Sequence, residues 1–247
     1  MCYNQIMANT LFIGKDLPDG LAFAEALADS GRSVFCVAKS EADASKFDSE
    51  NIYATTWNKS SAVSAHSVII KAETKLETLD EVIFYFDASA FCTQFELDRT
   101  EDLSNGIDTM ISGFLFATTE LLKRIDQRRE KISVVFLNKE YPSKYDMLSS
   151  KASGIVPAST LVAAAQAAFC SIAENFSTNV NGRDFLSVIL AKCAFSNDFY
   201  KNEDGIADWL AGALNSIKTM KNPQTVKQAG VWNKVGSKVS TGFALFR

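Results

Sequence analysis

Apolar and polar positions along this chain fall into blocks with two different periods. Leu11–Ile13 is a short apolar run closed by Gly14. Over Leu21–Ser30 the apolar residues Leu21, Ala24, Leu27 and Ala28 recur at helical spacing, and Gly31 follows as a helix stop. Ser33–Ala38 (SVFCVA) reads as a buried strand, which completes a βαβ unit. The alternation continues. Strands are predicted at Asn51–Thr56, Glu81–Phe86 (EVIFYF), Ile132–Asn138 and Phe185–Ala191. Helices are predicted at Ser60–Leu76, Asn105–Ile125, Ala158–Phe176 and Ile206–Ser216, and a last strand at Lys238–Phe246. The EVIFYF run is apolar on both faces, as a strand covered on both sides must be. Strands alternating with helices imply an α/β fold. It is a doubly wound parallel sheet with helices on both faces, in a single domain over 1–247, with 1–9 as a loose tail.

Composition narrows the partners. Apolar residues make up 47% of the chain and include 18 Phe, enough for a buried core. The net charge of −4 leaves no basic footprint, so nucleic acid is not an expected partner. No apolar run reaches the roughly 18–20 residues that span a bilayer. Met1–Thr10 lacks a basic region followed by an apolar one, so no signal peptide is expected. Cys2, Cys36, Cys92, Cys170 and Cys193 are odd in number and scattered, as reduced thiols of a cytoplasmic protein are. The only histidine, His66, lies in a polar helical stretch and reads as a surface residue, so no zinc site of ordinary type is expected.

The opening βαβ unit has the sequence form of a dinucleotide-binding half. FIGKDLPDGLAFAEALADSGRSVFCVAKSE resembles the glycine turn, first helix and second strand of the short-chain dehydrogenase/reductase family. EVIFYFDAS, MISGFLFATTELL, ISVVFLNK and AAFCSIAENF resemble later elements in the same order. The resemblance covers most of the chain and implies a Rossmann-like fold. It also implies NAD(P) binding through Gly14, Lys15, Gly20, Lys39, Asn58, Asp87 and Ala88. Gly14 and Gly20 match the first and third glycines of the turn. Lys39 takes the place where a cation faces the 2′-phosphate of NADP, which favours NADP over NAD; the other reading is a surface lysine. Asn58 falls where an aspartate often meets the adenine.

The departures bear on the chemistry. Pro18 replaces the middle glycine and removes one backbone donor. Asp16 and Asp19 in the same turn would repel phosphate, with Lys15 compensating in part, so an ordinary capped turn is the competing reading. Asp87-Ala88-Ser89 keeps only the alanine of the family's next motif. Met110 stands where a relay asparagine is expected. Asn138 takes the catalytic serine's place and could donate to a carbonyl oxygen. No YxxxK occurs anywhere, and alignment on the long helix puts Ala158 and Val162 in those seats. A second alignment uses SSKAS: Lys151 takes the lysine's role, Met147 the tyrosine's seat, and Tyr145 stands six residues before Lys151. Distantly related enoyl reductases place that pair seven apart.

Two functions follow. One is a non-catalytic binding or scaffold homologue. The other is an NADP-dependent carbonyl or enoyl reductase. There Tyr145 would be the acid, Lys151 the cation that lowers its pKa and holds the ribose, and Asn138 the carbonyl donor. Fold alone does not choose between them. The resemblance further implies a homodimer or tetramer through helices 105–125 and 156–176, whose small and apolar residues permit close approach.

Overall fold

A computed structural model describes residues 8–92, 100–149, 155–219 and 230–239. Its centre is a seven-stranded sheet made of β1 (Ala8–Leu17), β2 (Arg32–Ala38), β3 (Ile52–Thr56), β4 (Glu81–Asp87), β5 (Ile132–Lys139), β6 (Leu186–Cys193) and β7 (Trp232–Lys234). The strand order is β3-β2-β1-β4-β5-β6-β7, and every pairing is parallel. This is the doubly wound Rossmann-like domain that the alternating pattern implies.

The strand sequences sort themselves between two cores because successive side chains point to opposite faces. On β4, Val82, Phe84 and Phe86 enter one core, while Ile83 and Tyr85 enter the other. Val134 and Phe136 on β5 join the first core, and Val135 and Leu137 the second. The first core is covered by α3 (Ala62–Leu76), α6 (Gly113–Arg128) and α8 (Thr160–Asn179). Phe169 on α8 is its hub, with ring centroids 5.0 Å from Phe114, 5.3 Å from Phe86 and 5.9 Å from Phe136. The second core lies under α1 (Leu21–Asp29) and α9 (Glu203–Lys218), through Phe23, Leu27, Leu210 and Leu214.

Polar side chains fix the helix starts. Ser61, Ser159 and Asn202 accept backbone N–H groups of Ser64, Val162 and Gly205 at the N-termini of α3, α8 and α9. Short helices α2 (Glu41–Lys46), α4 (Ala88–Phe91) and α7 (Lys144–Ser149) complete the connections.

Several boundaries differ from expectation. β1 takes in Ala8 and Asn9 from the expected tail, because both pair with β2. The helix expected at Asn105–Ile125 is α5 (Thr100–Ile107), a π-helical turn at Asp108–Ser112, and then α6. A π turn inserts one residue into the ladder, which helical periodicity alone does not reveal. The last strand is Trp232–Lys234, parallel to β6; Lys238 and Val239 carry no strand, and 240–247 lie outside the described residues. Among the described residues no helix is long and apolar enough to cross a membrane.

Candidate functional site

The site begins with an irregularity in β1. Phe12 pairs with Cys36, but the next pair with β2 is Leu17 with Ala38, so the chain between them loops out. Gly14 makes this possible. Its φ is +114°, and a Cβ there would stand 2.2 Å from the Tyr85 carbonyl oxygen and 2.8 Å from the Phe114 ring. The loop then sends Lys15 and Asp16 to different partners. Beyond it, the N–H of Gly20 donates to the Asp16 carbonyl at 3.2 Å and that of Leu21 to the Pro18 carbonyl at 3.0 Å. Gly20 is required by packing, since a Cβ there would meet the Lys15 carbonyl at 2.2 Å.

A cavity of about 390 Å³ opens at the C-terminal ends of β1 to β4, walled on the far side by the π turn. It lies where the strand order reverses, the crevice in which doubly wound sheets bind ligands. Gly14, Lys15, Lys39, Asn58 and Asp87 line it. The structure therefore brings together five of the seven residues expected to bind a cofactor. Gly20 and Ala88 are buried away from it.

Among the described residues, the three lysines of its wall are all paired with carboxylates. Lys59 meets Asp16 at 2.7 Å and Lys39 meets Asp19 at 2.6 Å. The Lys39–Asp19 pair is exposed, at 46% and 41%, so water screens it. Lys15 is turned inward. Its ammonium lies 2.7 Å from both Asp87 and Glu203, whereas Lys139 at the end of β5 reaches Asp87 at 3.4 Å and Glu203 as well. Glu203 is delivered by the first turn of α9, where a carboxylate complements the positive helix end. Tyr85 donates its hydroxyl to the other Glu203 oxygen at 2.9 Å.

This cluster sets the protonation states of Asp87, Lys139 and the neighbouring Tyr85. Burial acts to raise the Asp87 pKa, but the ammonium groups of Lys15 and Lys139 outweigh it and hold the carboxyl below its usual range. Burial acts to lower Lys139, and Asp87 and Glu203 outweigh it in the upward direction. Burial, reinforced by Asp87 and Glu203, pushes the Tyr85 phenol well above its ordinary value. Asp87, Lys139 and Tyr85 are each driven further from neutrality, where acid–base catalysis would need a proton to be exchanged. Burial also pushes the thiols of Cys92 and Cys193 up to about 11, which leaves them poor nucleophiles.

The expected catalytic set is not assembled among the described residues. Asn138 is fully buried on β5 and donates its amide to the Cys170 sulfur at 3.2 Å, toward α8 and not into the cavity. Tyr145 is 81% exposed on α7 and does not line the cavity. Lys151 lies outside the described residues. Met110 is fully buried in the first core.

Other wall residues were not singled out from sequence: Trp57, Lys59, Asp108 and Thr109. Trp57 and Lys59 flank Asn58 just beyond β3, and their position after a strand end was the available signal. Asp108 and Thr109 reach the wall through the π turn, which had none.

Fold and cavity together define a Rossmann-like α/β protein, a doubly wound parallel sheet with a cavity at its strand ends. The chain is similar to the crystal structure of 3-ketoacyl-(acyl-carrier-protein) reductase from Brucella melitensis complexed with NADH. The two are 14% identical, with a TM-score of 0.60 over 93% of this chain and 96% of that one. That likeness shows the fold. No family model and no curated protein sequence matches this chain.

Proposed function

We propose that this chain is a non-catalytic binding homologue of the short-chain dehydrogenase/reductase fold. It holds a small ligand in the cavity at the strand ends and transfers no hydride. The observation that carries this reading is the Lys15–Asp87–Lys139–Glu203 quartet. At the ends of β1, β4 and β5, where a bound nicotinamide would meet its acid and its carbonyl donor, the side chains are committed to one another. The chain has no YxxxK to supply a replacement. The described cysteines are unpaired, which supports a reducing, cytoplasmic setting. A homodimer through helices 105–125 and 156–176 belongs to the same proposal.

The test is a turnover assay of the purified chain with NADPH and with NADH against carbonyl and enoyl substrates, read as loss of nicotinamide absorbance. The expected result is no enzyme-dependent oxidation of either cofactor. Turnover that saturates with substrate would sink the proposal.

One observation favours the alternative, an NADP-dependent reductase: Lys39 does line the cavity, and its exposed pairing with Asp19 is one a 2′-phosphate could displace. In that case Tyr145→Phe would abolish turnover, and NADPH would serve where NADH does not.

A further inference from the structure

Asp16 and Lys59 both line the cavity and are paired with each other there. Their charged groups lie 2.7 Å apart, and the side chains are only 12% and 13% exposed. The Lys39–Asp19 pair on the same wall is far more open. Water screens an exposed pair and reaches a shielded one poorly. Asp16 is therefore the firmer of the two counter-ions that the β1–α1 turn supplies.

The lysine is kept at the wall by contacts other than Asp16. A Cβ at Gly113, the first residue of α6, would stand 3.0 Å from the Lys59 Cβ, so α6 packs closely against the stem of that side chain. The ammonium lies 5.7 Å from the centre of the Trp57 ring. Neither contact depends on which anion the ammonium meets.

The carboxylate is less well provided for. Its Oδ2 takes Lys59, while its Oδ1 is buried with no hydrogen-bond partner among the described residues. A buried acceptor left open carries the cost of its lost hydration. Asp16 also stands on the stretch of β1 that loops out, where it pairs with neither β2 nor β4. Turning the carboxylate out to water recovers that hydration and leaves one charged donor free at the wall.

We propose that Asp16 is an internal ligand of Lys59. It occupies the seat that an external oxyanion would take and decides whether the cavity admits one. A multiply charged oxyanion displaces it, because it attracts one ammonium more strongly than a single carboxylate does. This rests on the reading of the chain as a binding protein and names what controls access to that same cavity.

Calorimetric titration of the full chain with inorganic pyrophosphate, at fixed ionic strength, tests it. Asp16→Asn keeps the size of the side chain and removes its charge. It should tighten binding by about tenfold or more, the weight of one freed charged donor. Adding Lys59→Met should abolish the gain, because Lys59 is the group set free. Asp19→Asn should gain less than about fivefold, since water already screens its pair. Asp108→Asn takes the same charge from the wall without releasing Lys39 or Lys59. Its gain should stay below about threefold at physiological salt.

An Asp16→Asn variant that binds pyrophosphate no tighter than the parent overturns the proposal. An equal gain from Asp108→Asn also overturns it, since net charge alone then explains the effect, and so does a gain that survives Lys59→Met. Asp16→Ala repeats the first comparison should the asparagine variant not fold. None of these results touches the non-catalytic reading, which the turnover assay judges separately. Turnover with NADPH would overturn that reading whatever pyrophosphate does.

Discussion

Lys15 on β1 and Lys139 on β5 hold their ammonium groups on the same two carboxylates, Asp87 and Glu203. The two strands are separated by β4, which contributes Asp87 between them, and Glu203 closes the group from α9. Removing one carboxylate leaves two largely buried cations on the other. Glu203→Ala also strips Tyr85 of its acceptor. Breaking a buried ion group in this way costs about 3 kcal/mol. Urea unfolding should show that loss in the midpoint. A shift under about 0.5 kcal/mol would mean that water already reaches the group and that it does not fix the strand ends.

The pH dependence follows from the same groups. Asp87 and Glu81 both have pKa values held below the usual carboxylate range in the folded state. At Glu81 burial pulls upward, while the hydrogen bond and charge of Arg32 and the charge of Lys218 outweigh it. Carboxyls depressed on folding stabilise above their unfolded pKa, and that stabilisation is lost as pH falls through the folded value. Lys139 is raised, so its contribution is complete below the ordinary lysine value and is lost as pH rises through the folded one. The expected profile is a plateau through neutrality, with an acid limb and a separate limb in strong alkali. Chemical denaturation across pH reads it. Asp87→Asn should make the acid limb shallower, because one proton fewer is then linked to unfolding.

The parts of this architecture that were legible in sequence are the parts set by local pattern. Glu81–Phe86 is apolar on both faces and is the fully buried β4. Lys39 and Asn58, which the family resemblance assigns to a cofactor, both line the cavity at the strand ends. What sequence did not show are contacts between distant residues. Lys15 read as a counter-charge for phosphate, but Asp87 and Glu203 lie 72 and 188 positions away and draw it inward. Asp108 became a wall residue through a π turn that breaks helical periodicity. The seventh strand has only three residues, too few for period or run length to mark.

Gly14 is the position on which the β1 irregularity depends. Alanine there would have to adopt a φ of +114° and overlap the Tyr85 carbonyl. The expected cost of Gly14→Ala is about 2 kcal/mol or more, from backbone strain and forced displacement. Thermal unfolding measures the cost. A variant with unchanged stability would mean that the loop relaxes freely, and that the glycine is not what holds the cavity mouth.

Self-association is testable at α6 and α8. Leu115 on α6 is 45% exposed, and Ala164 and Ala167 are exposed on α8, while Ala165 and Ala173 lie against the sheet. The inward alanines serve the core. The outward ones leave a flank with little side-chain bulk, which lets a second helix approach closely. Isologous contact across a two-fold axis would bury Leu115 against its counterpart's helices. Leu115→Arg sets a charge on each protomer at that contact and should shift a dimer to monomer at micromolar concentration. Because Leu115 is exposed within the protomer, its replacement should leave the melting temperature of the monomer within about 0.5 kcal/mol equivalent of the parent. Sedimentation velocity of the two proteins side by side reads the result. A parent that sediments as a monomer at every concentration, or a Leu115→Arg variant that remains dimeric, would exclude this pair of helices as the interface.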